Sequence, residues 1–132
     1  LGRIEGLLAR RERVAGWYNE RLVGVEGVQT PYIATTTRMS WFVYVITLEE
    51  GAPVQGMQRD RVIARLAEQG IPARGYFAPI HTQPYINEVL GDLAGTLPVT
   101  ESIAQRTVAL PFHNNLSEAE IEKVVEALKR AV

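Results

Sequence analysis

The chain has 132 residues, a net charge of −1, an apolar fraction of 46% and a charged fraction of 22%, values ordinary for one globular domain. Without cysteine it has no disulfide framework and no thiolate metal site, and without a block of like charge it lacks the basic face that nucleic acid requires. No apolar run approaches the ~20 residues that cross a bilayer, and the charged N-terminus, LGRIEGLLARRERV, does not read as a signal peptide; a reducing cytoplasm is the expected location.

The first predicted element is a helix over Leu1–Val23. Ile4, Leu7, Leu8, Val14, Trp17, Tyr18 and Leu22 fall near a 3.6-residue period with arginines between them. It opens without a capping signal, as expected of a helix continuing from a longer chain. Gly24, Gly27 and Pro31 then mark a break. Met39–Leu48 (MSWFVYVITL) is aromatic and β-branched almost throughout and predicts a strand covered on both faces. Glu49–Gly56 reads as a loop. Arg59–Gln69 predicts an amphipathic helix with Val62, Ile63 and Leu66 buried and Gly70 closing it.

Next comes the densest stretch, GIPARGYFAPIHTQPY at Gly70–Tyr85. Three prolines within it exclude a long helix or a long paired strand. Ile71–Phe77 predicts a short returning strand, and Ile86–Leu93 fits helix or loop. The aromatic and basic groups of this stretch suit either a ligand-facing loop or a proline-stiffened connection that covers the core. Pro98 predicts the first turn of a helix ending near Arg106, followed by a buried strand at Thr107–Leu110. Ser117 and Glu120 form a capping box, with Leu116 and Ile121 at the staple positions. The helix beyond has Ile121, Val124, Val125 and Leu128 on one face. The expected fold class is therefore α/β, in a two-layer α+β arrangement. A small sheet of about three strands would carry helices packed on it, with strand direction left open.

Chemistry is sparse. No nucleophile elbow, Walker A loop or G-x-G-x-x-G is present, and His81 and His113 stand without a carboxylate at ligand spacing. Twelve arginines accompany only two lysines, Lys123 and Lys129, both on the exposed side of the terminal helix. A Schiff-base lysine must be desolvated and held near its carbonyl partner, so neither suits that role.

Three stretches together resemble the C-terminal part of the DegT/StrS family of pyridoxal-phosphate-dependent aminotransferases. They are SWFVYVITL at Ser40–Leu48, RDRVIARLAEQGIPARGYFAPIHTQPY at Arg59–Tyr85, and LPVTESIAQRTVALPFHNNLSEAEIEKVVEAL at Leu97–Leu128. The opening helix, with RRERVAGWYNERL at Arg10–Leu22, is similar to the helix that enters the family's small domain. The resemblance implies that residues 1–132 are a single small domain, with the large cofactor domain and its lysine elsewhere. It implies pyridoxal 5′-phosphate in the intact enzyme, none of it bound covalently to these residues. It further implies transfer of an amino group, usually from glutamate, to a nucleotide-linked keto-sugar by a homodimer, with this part inactive alone. A sugar dehydratase relative and a stand-alone binding or interaction module are the alternatives.

The resemblance also assigns candidate residues. Tyr76 matches an aromatic that contacts substrate in relatives, His81 the histidine before the Gln-Pro pair, and Arg74 a basic position on the strand entering the loop. Each has a plainer reading: Tyr76 packed on the sheet with its hydroxyl wet, His81 satisfied within the loop, Arg74 paired with a carboxylate. Gly75 stands where some relatives carry histidine, and Met39 where the family often has histidine. Trp41, Phe42 and Tyr44 are expected in the core, and His113 in a surface turn.

Overall fold

The computed structural model describes residues 2–49 and 59–132. The loop expected over Glu49–Gly56 lies outside the described residues apart from Glu49. The elements are α1 (Ile4–Leu22), β1 (Val28–Gln29), β2 (Tyr44–Leu48), α2 (Arg59–Glu68), β3 (Arg74–Gly75), a 3-10 turn (Ile80–Thr82), α3 (Pro84–Leu90), α4 (Pro98–Arg106), β4 (Thr107–Leu110) and α5 (Glu118–Ala131). The strands form one antiparallel sheet in the order β1-β2-β4-β3. The fourth strand beyond the expected three is β1, whose two residues are too few to show a period.

The core lies between the sheet's inner face and the helices α1, α2 and α5. Alternation on β2 turns Tyr44, Ile46 and Leu48 inward, and β4 adds Val108 and Leu110. The register sets Tyr44 opposite Leu110 and Ile46 opposite Val108. Opposite this face, α1 presents Val14, Tyr18 and Leu22, and α2 presents Val62 and Leu66. Helix α5 packs on both, burying Ile121, Val124, Val125 and Leu128. The predicted capping box is present in both directions: Ser117 Oγ accepts from the Glu120 N–H and Glu120 accepts from the Ser117 N–H.

An aromatic cluster joins α1 to the sheet. Tyr18 stacks on Tyr44 with centroids 4.6 Å apart, and Trp41 lies 5.6 Å beyond. The buried hydroxyls are satisfied, Tyr18 donating to the Pro111 carbonyl at 2.7 Å and Tyr44 to Asn19 Oδ1 at 2.5 Å. Burial pushes both phenols above their ordinary range.

The expected strand Met39–Leu48 is corrected at its start. Trp41 sits at φ +37°, a left-handed conformation that interrupts a strand ladder, so pairing begins only at Tyr44. The same turn throws Phe42 outward: it is 66% exposed and is not a core residue, whereas Trp41 and Tyr44 are buried. Glu118 and Glu122 of α5 grip Arg21 of α1 across the outer surface.

Candidate functional site

The stretch Gly70–Tyr85 begins where Gly70, at φ +75°, closes α2 and lets the Ile71 N–H return to the Leu66 carbonyl at 2.9 Å. The chain then pairs briefly with β4, Arg74 opposite Ala109 and Gly75 opposite Val108. Arg74 is exposed on this edge strand, and among the described residues no carboxylate pairs with it. Gly75 is exposed too, but a Cβ there would meet the Arg59 guanidinium at 2.9 Å. Arg59 in turn donates to the Ala104 carbonyl at 2.7 Å. The space that a side chain at position 75 would take is thus held by an arginine from α2.

Beyond Gly75 the chain turns sharply. Phe77 adopts φ +34°, its ring tilted against Tyr76 at 4.7 Å. The prolines act as expected of them: Pro79 precedes the 3-10 turn, and Pro84 occupies the first turn of α3. The ambiguous stretch Ile86–Leu93 is thereby helical as far as Leu90, where Gly91 ends it.

His81 lies in the 3-10 turn and is 8% exposed. Its Nε2 is 2.9 Å from Glu101 Oε1 on α4, and the same oxygen accepts the Gly95 N–H at 2.8 Å. These contacts, the histidine's first, hold the Glu101 carboxyl below its ordinary pKa. An ionised carboxylate only accepts, so Nε2 carries the proton and donates. Among the described residues no partner meets Nδ1, which leaves that nitrogen open to a further hydrogen bond.

Tyr76 and His81 share one groove; Arg74 does not border it. The groove has a volume of about 780 Å³ and is lined besides by Thr100, Thr107 and mostly apolar side chains such as Ile86, Leu90, Leu97 and Ile103. Tyr76 also borders a second cleft of about 330 Å³ with Met39, Trp41, Phe42 and Val45. His113 is exposed, its Nδ1 accepting the Asn115 N–H at 3.3 Å.

Among the described residues no arginine or lysine lines either cleft, so neither offers a phosphate a cationic side chain. Lys123 and Lys129 lie exposed on α5, Lys129 held by Glu126 at 2.8 Å. These residues do not fit pyridoxal phosphate, which needs a desolvated lysine and an anion cradle. Among the described residues no group of acidic, histidine or cysteine side chains fits a metal. The arrangement instead offers a phenol, an oriented imidazole and an apolar wall. Glu101 and Arg59, which hold this wall, escaped sequence reasoning because their partners stand 20 and 45 residues away.

A family model for the DegT/DnrJ/EryC1/StrS aminotransferases matches residues 1–129. GDP-perosamine synthase of Caulobacter vibrioides is 35% identical over 133 residues, covering 100% of this chain and 34% of that protein. The chain therefore spans about a third of the length of such relatives. A solved DegT DnrJ EryC1 StrS aminotransferase from Brucella abortus is 32% identical, with a TM-score of 0.78 over 98% of this chain and 32% of its own. The fold is also that of Spr1654 from Streptococcus pneumoniae in its PLP form, at a TM-score of 0.85 and 22% identity over 98% of this chain and 32% of that one. With the match running almost end to end, the chain belongs to the DegT/DnrJ/EryC1/StrS aminotransferase family.

Proposed function

We propose that this chain is the C-terminal small domain of a pyridoxal-phosphate-dependent aminotransferase that acts on a nucleotide-linked keto-sugar. The observation that carries the reading is an end-to-end family match that spans only about a third of a sugar-nucleotide relative. The residues of the chain agree with such a division of labour: a wall with a phenol and an imidazole, and no lysine placed for the cofactor. The cofactor, when bound by the remainder of the intact enzyme, supplies the electron sink for moving the amino group. The 132 residues contribute no base or nucleophile and are inactive alone. Glutamate is the expected donor, and the intact protein is a homodimer.

Within this reading Tyr76 faces the substrate, its hydroxyl a donor and acceptor at the rim between the two clefts. His81, fixed by Glu101, offers Nδ1 for a hydrogen bond to substrate, and Arg74 on the edge strand reaches the nucleotide end. In the intact enzyme Tyr76→Ala is expected to raise KM for the nucleotide sugar about tenfold, equivalent to ~1.4 kcal/mol, and to leave turnover of the glutamate half-reaction within about twofold. An unchanged KM removes Tyr76 from the site. A stable lysine-linked chromophore on adding pyridoxal phosphate to the 132-residue chain sinks the whole reading.

A further inference from the structure

Strand β3 carries a glycine whose reason is not its own backbone. Glycine weakens a strand and is kept in one for a left-handed conformation, a bulge or the close approach of another group. Gly75 does not have the positive φ of Gly70 or Gly91. It pairs in register with Val108, next to Arg74 with Ala109, so no bulge interrupts the ladder there. Close approach remains. A Cβ on Gly75 would lie 2.9 Å from Arg59 Nη1 and 3.0 Å from its Cζ, well inside ordinary van der Waals contact.

Arg59 does more than fill the space. It opens α2, and the same Nη1 that lies beside Gly75 donates to the Ala104 carbonyl at 2.7 Å. Ala104 stands in the last turn of α4, where carbonyls lack partners within the helix and a cation is favoured. Asp60 Oδ1, accepting from Nε at 2.8 Å, holds another edge of the guanidinium. One group thus joins the start of α2, the strand β3 and the end of α4.

These attachments bear on the groove. Tyr76 follows Gly75 directly, and Ala104 lines the groove with Tyr76 and His81. His81 is bonded to Glu101, one turn before Ala104 on the same helix. The phenol is therefore carried by the strand, the imidazole is tied to the helix, and Arg59 bridges the two.

We propose that Arg59 is a positioning residue for nucleotide-sugar binding: seated where Gly75 lacks a side chain, it sets the spacing between Tyr76 and His81. The inference rests on the functional reading above. It adds a residue that does not itself border the groove, and it explains why position 75 is glycine.

A double-mutant cycle in the full-length enzyme tests it, read as KM for the nucleotide sugar and kcat. Arg59→Ala removes the bridge and is expected to raise KM about fivefold with kcat changed less than twofold. Gly75→Ala puts a methyl group against Nη1, displaces the guanidinium from the Ala104 carbonyl, and is expected to raise KM in the same way. In the double variant the methyl enters a vacant seat, so KM is expected to match that of Arg59→Ala alone within about twofold. Should Arg59→Ala fail to fold, Gly75→Ala carries the test, since it moves the guanidinium without deleting it. Two effects that multiply show positions acting separately and overturn the proposal. So does an unchanged KM in both single variants, even with a lowered melting temperature, which leaves Arg59 as packing only. Tyr76→Ala, measured alongside, separates the two ideas. If it raises KM while Arg59→Ala and Gly75→Ala do not, the positioning role fails and the functional reading stands. If it too leaves KM unchanged, both fail.

Discussion

Glu101 shows how much one side chain organises here. Its carboxylate takes a proton donor from His81 and another from the Gly95 backbone, and both bonds favour the ionised form. A carboxyl whose folded pKa is depressed stabilises the fold above its ordinary range and loses that contribution as pH falls through the lowered value. Glu101→Gln cannot ionise. The difference in melting temperature between the native protein and this variant is therefore expected to be largest near neutrality. It should narrow on acidification below about pH 4, where carboxylates begin to protonate. Thermal melts across that range check it, and a gap independent of pH contradicts the assigned role. Nothing in the local sequence around Glu101 marks it, because the bond exists only once α4 is laid beside the 3-10 turn. Gly75 makes the same point: a glycine in a strand has no local reading, and its closeness to Arg59 is created by the packing of α2 on β3.

The elements divide by how locally they are determined. Helix α5 is written in its own residues, through a capping box, a staple pair and an apolar stripe, and it forms as predicted. Removing the cap with Ser117→Ala is expected to cost about 1 kcal/mol, seen as a lower urea midpoint at unchanged slope; an unchanged midpoint means the box adds nothing to stability. Strand β4 and helix α4 were equally legible, since Pro98 and Pro111 bracket them. Strand β2 was legible in kind but not in extent. Its residues from Met39 to Val43 have strand composition, yet the left-handed Trp41 buys a turn that seats the indole against Tyr44 and sends Phe42 outward. Strand β1, two residues long, was set by pairing with its neighbour rather than by propensity, whereas β3 lies inside the strand expected over Ile71–Phe77 but pairs only at Arg74–Gly75.

On the scale of the whole molecule, one sheet face is packed by three helices, while the segment 77–106 is only lightly covered. Produced alone, the 132-residue chain is expected to self-associate through its bare groove, and Val99→Glu is expected to weaken that association, as read by sedimentation velocity. A monomer at every concentration argues against a sticky face. No described helix is long and apolar enough to cross a membrane. The sequence by itself determined the helices with strong periodicity and caps, and the family through three long ordered motifs, because each is a property of residues near one another along the chain. Only the tertiary structure decided that all strands run antiparallel, that Tyr76 and His81 share a groove which Arg74 does not border, and that this groove is apolar. Those are relations between residues far apart in sequence, and they come into being only when the sheet has chosen its order and α4 has closed over its edge.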